Sequence, residues 1–209
     1  MHQARAYLPV LVVDDGSTDD TAHRAETAGA VVLRQVPNQG KGRALQSGFA
    51  HALAQGYEAV VALDGDGQHD AAQIPAFLRA YAATTADLII GARTFSQMPP
   101  VRRLSNALGQ RAFSWAMGQQ VPDNQSGYRL VSRRLMAAML DSREMGFEFE
   151  VEMVVRCVEL GLKLDWIPIR TIYGREKSHI RPWYHVMQFA RITWQARRRM
   201  KRTLSRREG

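Results

Sequence analysis

Short apolar runs alternate with helical patterns along most of this sequence, and turn residues separate them. The first run, residues 10–13, ends at Asp14-Asp15-Gly16, and a helical pattern capped by Ser17 then continues to residue 28. Strands that alternate with helices favour a mostly parallel sheet with helices packed against it. We therefore predict an α/β fold.

The same patterns predict the remaining elements. Further strands are expected at residues 31–33, 59–63, 88–91 and 164–168. Further helices are expected at residues 41–55, 74–83, 104–117, 148–159 and 182–202. A chain of 209 residues is long enough for one compact domain with a sizeable core. We assign residues 1–180 to that domain and residues 181–209 to a basic amphipathic helix and tail.

An acidic motif, Asp64-Gly-Asp66-Gly-Gln68, directly follows the third predicted strand. Oxygen ligands two residues apart at the end of a strand can share one divalent cation, and such hard ligands suit Mg²⁺ or Mn²⁺, which neutralise diphosphate leaving groups. A calcium-binding loop fits poorly, because His69 and Pro75 stand where Gly and Glu are required. A solvated turn without a ligand is the alternative.

Asp14 and Asp15 also lie at the carboxyl end of a predicted strand, where open α/β sheets bind their ligands. A carboxylate at that position can accept hydrogen bonds from a nucleoside. It can equally cap the turn that leads into the next helix. Both interpretations stay open.

The segment Asn38-Gln-Gly-Lys41-Gly-Arg43 is rich in glycine and basic residues, but it lacks the spacing of a phosphate-binding P-loop. Its glycines permit a tight turn or a close backbone approach. We interpret Lys41 as a solvated side chain.

The last predicted helix places Trp183, Met187, Ala190 and Trp194 at helical spacing and ends in a basic run at residues 197–202. The whole chain carries 28 Lys and Arg against 20 Asp and Glu. Aromatic and basic residues together suit a helix at an anionic membrane surface. The alternatives are a helix packed on the domain with a solvated tail, or nonspecific attraction to nucleic acid.

A single cysteine, Cys157, excludes an intramolecular disulfide and is expected to pack in the core. No signal peptide and no run of 18 apolar residues is evident. We therefore expect a cytoplasmic protein, peripheral at the inner face of the membrane.

Four motifs in order resemble the family 2 glycosyltransferases: the Val-Val-Asp-Asp-Gly-Ser-Thr-Asp turn, the Asn-x-Gly-Lys-Gly helix start, the Asp-x-Asp-x-Gln motif, and Asp123-Asn-Gln-Ser-Gly-Tyr-Arg129. The last is similar to the acceptor-side motif of the branch that resembles dolichyl-phosphate mannose synthase. The resemblance implies a GT-A fold and an enzyme that moves a sugar from a nucleotide-diphosphate sugar to a polyprenyl phosphate.

The resemblance also implies roles on the donor side. Metal ligands would be Asp64, Asp66 and Gln68. Nucleotide-sugar contacts would come from Val13, Asp15, Asp64, Gly65, Asp66, Arg93, Arg170 and His179.

A phosphate acceptor is already ionised near neutral pH, so it needs cations rather than a strong base. Arg102, Arg103 and Arg129 could hold it, and the resemblance adds Gln125 and Ser126 to that set. It further implies inversion by direct displacement, with Asp66, Asp123 and Arg129 as catalytic residues. Asp123 would orient the acceptor, whereas Glu148 and Glu150 are weaker candidates for a base.

The family normally begins with a strand and a Pro-x-Tyr-Asn-Glu segment, which residues 1–8 do not contain. We therefore expect the usual first strand and helix to be absent, and a homodimer could cover the exposed edge. Alternatives are another acceptor such as a polysaccharide, an inactive truncated homologue, and a sugar-phosphate nucleotidyltransferase, which lacks support because no basic triphosphate loop is evident. A basic module that binds membrane or nucleic acid would explain the tail but not the acidic motif.

Overall fold

The computed structural model describes residues 1–93, 100–124, 126–146, 148–170, 172 and 182–207, without the side chains of residues 100–106, 182–189 and 203–207. Six strands are described: β1 (Leu11–Asp14), β2 (Val31–Arg34), β3 (Ala59–Ala62), β4 (Leu88–Arg93), β5 (Arg129–Ser132) and β6 (Leu164–Ile169). The helices are α1 (His2–Arg5), α2 (Thr21–Thr27), α3 (Lys41–Ala54), α4 (Ile74–Thr84), α5 (Pro100–Met117), α6 (Arg133–Met139), α7 (Glu148–Glu159) and α8 (Pro182–Arg207). A short 3-10 helix, Ala71–Gln73, precedes α4.

The strands form two sheets. β1 and β2 pair in parallel, and a second sheet has the order β3-β5-β4-β6. β4 and β6 are parallel, whereas β5 runs antiparallel to both of its neighbours. The α/β class is as predicted, and the central antiparallel strand makes the larger sheet mixed. Within the described residues no strand hydrogen-bonds β1 to β3.

Most predicted elements are confirmed, α7 with the predicted bounds. Helices α1 and α6 and strand β5 were not predicted from the sequence. The predicted start of α2 at Ser17 is wrong, because the helix begins at Thr21. The intervening residues form turns instead: Ser17 donates its N–H to Asp14 Oδ1, and Thr21 donates its N–H to Asp19 Oδ1.

Two apolar clusters cover opposite faces of the larger sheet. Leu88 and Ile90 belong to one cluster and Ile89 to the other, because successive side chains of a strand point to opposite faces. All three side chains are fully buried. The predicted packing role of Cys157 is confirmed, since it lies buried in the first cluster.

Helix α8 packs against α5 and α7. Thr193, Ala196 and Met200 are buried on its inner side. Among the sequence alternatives, a helix packed on the domain is therefore what the structure shows for this part of α8, and the domain boundary at residue 181 stays a prediction. None of the described helices is long and apolar enough to cross a membrane.

Candidate functional site

The acidic motif and the predicted acceptor-side motif meet across one pair of strands. β3 and β5 are antiparallel with Ala62 opposite Arg129, so Asp64, which follows β3, faces Gly127, which precedes β5. A Cβ atom at Gly127 would lie 2.2 Å from Asp64 Oδ2. A side chain at position 127 would therefore force this carboxylate or its loop to move.

Asp64 is further held by a lysine from the start of α3. Lys41 Nζ lies 2.6 Å from Asp64 Oδ1 and 3.0 Å from Glu150 Oε1. On the other side, His69 Nε2 lies 3.7 Å from Asp64 Oδ2. The interpretation of Lys41 as a solvated side chain is therefore wrong. Lys41 bridges two carboxylates, and only 26% of its side chain is exposed.

The surroundings of Asp64 and Lys41 keep both groups charged. Burial raises the pKa of Asp64, but the interactions with His69 and Lys41 outweigh burial and lower the pKa to about 2. Burial lowers the pKa of Lys41, but the negative charges of Glu150 and Asp64 outweigh it and raise the pKa above its usual value. Asp64 is thus a negatively charged carboxylate throughout the neutral pH range.

The rest of the acidic motif is open to solvent. Asp66 is exposed, and its Oδ1 accepts the Gln68 N–H at 2.9 Å. Gly65 is exposed too, and a Cβ there would meet nothing within 4 Å. The described residues contain no group of three His, Cys, Asp or Glu side chains that could hold a metal. Mg²⁺ is usually bound through one or two carboxylates plus the phosphates of a substrate, so the residues present fit a cation shared with a ligand.

Asp14 and Asp15 both accept hydrogen bonds from backbone N–H groups of nearby turns. Asp15 accepts the N–H groups of Gln39 and Gly40 at 2.7 and 2.8 Å. Asp14 is buried, and hydrogen bonds from Ser17 are the main cause that lowers its pKa. Asp14 therefore stabilises the turn before α2, as the capping interpretation expected. Asp15 instead fixes the loop that leads to Lys41, and its contact with a nucleoside stays a prediction.

Two predicted site residues, Arg93 and Asp123, bind each other. Arg93 donates from Nε and Nη2 to the two oxygens of Asp123 at 2.7 and 3.1 Å. Asp123 Oδ1 also accepts the Ser126 N–H at 3.2 Å. This pair connects the end of β4 to the acceptor-side motif.

Arg129, the last residue of the acceptor-side motif, is buried. Its guanidinium donates to the backbone oxygens of Asn124, Ser126 and Glu150 at 2.8, 2.7 and 2.5 Å. Arg129 is 1% exposed and Ser126 is fully buried. Protein encloses both side chains, so in this arrangement neither is accessible to an acceptor phosphate.

The remaining predicted residues divide into two groups. Val13 lies partly buried in β1, and Arg170 is exposed just after β6, where its backbone N–H bonds Gln73. Ile172 donates its N–H to the Gln68 oxygen, so the chain after β6 runs beside the acidic motif. Gln125 and His179, and the side chains of Arg102 and Arg103, lie outside the described residues.

The start of α3 contacts the loop before α7, a contact that was not predicted from the sequence. Gly42 donates its N–H to the Met145 oxygen at 2.7 Å, and a Cβ at Gly42 would lie 2.6 Å from the Glu144 oxygen. The signal was the glycine on each side of Lys41, because such glycines permit close backbone approach. That approach brings Lys41 to Glu150.

Comparison with known proteins agrees with the motifs gathered here. The profile described as "Glycosyl transferase family 2" matches residues 2–140. The chain belongs to this family. It is 35% identical over 182 residues to the undecaprenyl-phosphate mannosyltransferase of Micrococcus luteus, covering 80% of this chain and 72% of that protein. It is 28% identical over 184 residues to the polyprenol monophosphomannose synthase of Mycolicibacterium smegmatis, covering 81% and 68%.

Solved structures show the fold of this family 2 glycosyltransferase. Glucosyl-3-phosphoglycerate synthase from Mycobacterium tuberculosis, crystallised with UDP, matches with a TM-score of 0.67 at 24% identity, over 90% of this chain and 68% of that chain. Another structure of that enzyme, with Mn²⁺, UDP-glucose and phosphoglyceric acid, gives a TM-score of 0.62 at 23% identity, over 92% and 67%. The chain therefore has the GT-A fold, which confirms the predicted fold class.

Proposed function

We propose that this chain is an inverting, metal-dependent glycosyltransferase that moves a sugar from a nucleotide-diphosphate sugar to a polyprenyl phosphate. The observation that carries the proposal is the contact of Asp64 with Gly127, which joins the donor-side and acceptor-side motifs in one site. One relative is named an undecaprenyl-phosphate mannosyltransferase and another a polyprenol monophosphomannose synthase, and these names support the acceptor class.

On the donor side, Asp64, Asp66 and Gln68 would hold Mg²⁺ or Mn²⁺, which when bound neutralises charge on the diphosphate leaving group. Val13 and Asp15 would contact the nucleoside, and Gly65 would lie against the donor. Arg170 and His179 would approach the phosphates from the C-terminal side. Lys41 helps to lower the pKa of the Asp64 carboxyl group and holds the carboxylate in place.

On the acceptor side, an oxygen of the polyprenyl phosphate would attack the anomeric carbon as the bond to the nucleoside diphosphate breaks. The acceptor is already ionised, so the site needs to orient it rather than deprotonate it. Arg103 and Gln125 would hold its phosphate. Because Arg129 and Ser126 are buried, we propose that they support the loop instead.

Arg93 and Asp123 would act as one unit at this loop. Their two hydrogen bonds fix the guanidinium at the end of β4, with the carboxylate beside Ser126. Arg93 is the partly exposed member of the pair, with 22% of its side chain accessible. The positive charge it presents would face donor or acceptor phosphate, and Asp123 would orient it. The enzyme would work at the cytoplasmic face of a membrane, where a lipid acceptor is available.

Calorimetric titration with GDP, UDP and their sugars, with and without Mn²⁺, tests the donor half of this proposal. Metal-dependent binding of one nucleotide would identify the donor class. Transfer of radiolabelled sugar to a short-chain polyprenyl phosphate in detergent then tests the acceptor half. A folded sample that binds no nucleotide would contradict the proposal and favour an inactive homologue, and transfer to a polysaccharide alone would replace the acceptor.

A further inference from the structure

The outer faces of α5 and α8 form a continuous aromatic and basic surface. Leu108, Arg111 and Trp115 follow one another at helical spacing on α5, and all three are exposed. Leu108 is 57% and Trp115 64% exposed. Exposed apolar side chains that are grouped on one surface, rather than scattered singly, mark sites of contact with another molecule or a membrane.

Helix α8 continues this surface. Its exposed residues recur at helical spacing and include one tryptophan and several cations: Arg191, Trp194, Arg198, Lys201 and Arg202. Trp194 is 54% exposed. We call the exposed residues of both helices the α5–α8 face.

Stacked arginines connect the two tryptophans of this face. The guanidinium carbon of Arg197 on α8 lies 4.8 Å from the ring centroid of Trp115 on α5. Arg198 stacks on Trp194 within its own helix at 3.6 Å. Each tryptophan therefore presents an apolar ring with a cation held against it, a combination that suits the boundary between headgroups and acyl chains.

The inner side of α8 holds this face in place. Arg199 forms ion pairs with Glu152 and Glu159 of α7, with Nε 2.7 Å from Glu159 Oε1. Ala196 and Met200 are buried beside them. Because the inner residues of α8 pack against the domain, the helix can expose its outer residues to a partner while it stays bound to the domain.

We infer that the α5–α8 face binds the surface of an anionic lipid bilayer. Neither Pro100–Met117 nor Pro182–Arg207 contains an acidic residue, so both helices carry only positive charge toward a partner. Exposed Leu108 and the two tryptophans add apolar surface. A lipid bilayer would bury this surface, whereas the phosphate backbone of a nucleic acid would not. This inference rests on the proposed function and deepens it. A polyprenyl phosphate acceptor would lie in the same bilayer, which gives the enzyme a reason to bind the bilayer surface.

Sedimentation of the 209-residue chain with lipid vesicles, without nucleotide or acceptor, tests this inference. Vesicles of phosphatidylcholine with phosphatidylglycerol should bind the protein, and pure phosphatidylcholine should not. The double variant Trp115→Ala/Trp194→Ala should weaken binding about tenfold or more. Arg198→Gln should weaken it about fivefold, which corresponds to the roughly 1 kcal/mol of one cation near an anionic surface.

Tyr57→Ala and Arg133→Gln are the matched controls, because both side chains are exposed and lie outside α5 and α8. Thermal melting by circular dichroism establishes that every variant is folded. Binding unchanged in the double tryptophan variant, or reduced equally in the controls, would overturn the inference. So would binding to RNA without binding to vesicles. Transfer to a detergent-solubilised acceptor is measured separately, so loss of vesicle binding and loss of transferase activity are distinguishable.

Discussion

Lys41 Nζ lies 2.6 Å from Asp64 Oδ1, so a lysine at the start of α3 neutralises the first carboxylate of the acidic motif. The same ammonium lies 3.0 Å from Glu150 Oε1, and the side chain of Glu150 is only 5% exposed. Removal of the lysine would leave the negative charges of both carboxylates uncompensated, which would destabilise the fold.

Replacement of this lysine therefore tests whether the bridge positions Asp64. Lys41→Met should lower the free energy of unfolding by about 1–3 kcal/mol, less than for a fully buried pair because Asp64 is partly exposed. It should also weaken Mn²⁺ binding, since Asp64 loses the contact that fixes it. Urea denaturation and Mn²⁺ titration followed by electron paramagnetic resonance measure the two effects.

Lys41→Arg is the control, because it keeps the positive charge. It should recover most of the stability while Mn²⁺ affinity stays reduced, since a planar guanidinium does not reproduce the contacts of an ammonium. Unchanged Mn²⁺ affinity in Lys41→Met would contradict a positioning role.

The lowered pKa of Asp64 predicts a specific acid sensitivity. A carboxyl group whose folded-state pKa is about 2 stabilises the fold above its unfolded pKa of about 4, and that stabilisation is lost as pH falls toward 2. From pH 5 to pH 3 this one group should cost about 1 kcal/mol of unfolding free energy. Asp64→Asn should show a correspondingly smaller loss over the same interval, measured by urea denaturation at both pH values. Equal losses in the two proteins would rule out Asp64 as the source.

Asp66 is predicted to bind the cation without supporting the fold. Its side chain is exposed, and its one described hydrogen bond is local. Asp66→Ala should abolish Mn²⁺-dependent nucleotide binding and change the free energy of unfolding by less than about 0.5 kcal/mol. Glu58→Ala is the matched control, because this exposed carboxylate lies just before the opposite end of β3. Retention of metal-dependent binding in Asp66→Ala would remove this residue from the proposed metal site.

Arg129 is predicted to act through the loop it supports. Arg129→Lys cannot satisfy the three backbone oxygens of Asn124, Ser126 and Glu150 together, so the free energy of unfolding should fall by about 2–4 kcal/mol. If the guanidinium instead contacted the acceptor, stability would change little and the KM for the acceptor would rise. Urea denaturation and acceptor kinetics separate these outcomes.

Gly127→Ala tests the close approach of the two motifs. The new Cβ would lie within 2.2 Å of Asp64, so Asp64 or the loop has to move and Mn²⁺ affinity should fall at least tenfold, or about 1.4 kcal/mol. Gly48→Ala is the control, because it lies in α3 and its Cβ would meet only Val13 at 3.4 Å. That control should be neutral or slightly stabilising. The variant proteins are compared by Mn²⁺ titration and thermal melting.

Elements with a local apolar pattern could be predicted from the sequence, whereas β5 could not. Two of its four residues are polar, and both are buried by distant partners: Arg129 bonds the backbone of α7, and Ser132 Oγ donates to Asp87 at 2.7 Å. The start of α2 was missed for the opposite reason, because nearby side chains such as Asp19 stabilise a turn that competes with the helix.

The candidate site shows the same division. The acidic motif could be recognised because its oxygen ligands are close in sequence. The role of Lys41 could not, since Glu150 lies more than a hundred positions further along the chain. The surroundings of Arg129 likewise depend on tertiary contacts, so the sequence motif indicated its importance but not its burial.

The insertion of β5 between β3 and β4 limits how this enzyme can be re-engineered. A chimera that joins the first half of one family member to the second half of another would combine Asp64 from one parent with Gly127 from the other. Those two residues share a gap too narrow for a methyl group. The acidic motif and the motif that contains Gly127 are therefore not separable modules of the chain, and recombination should succeed only where the residues along the β3–β5 seam are exchanged as a set.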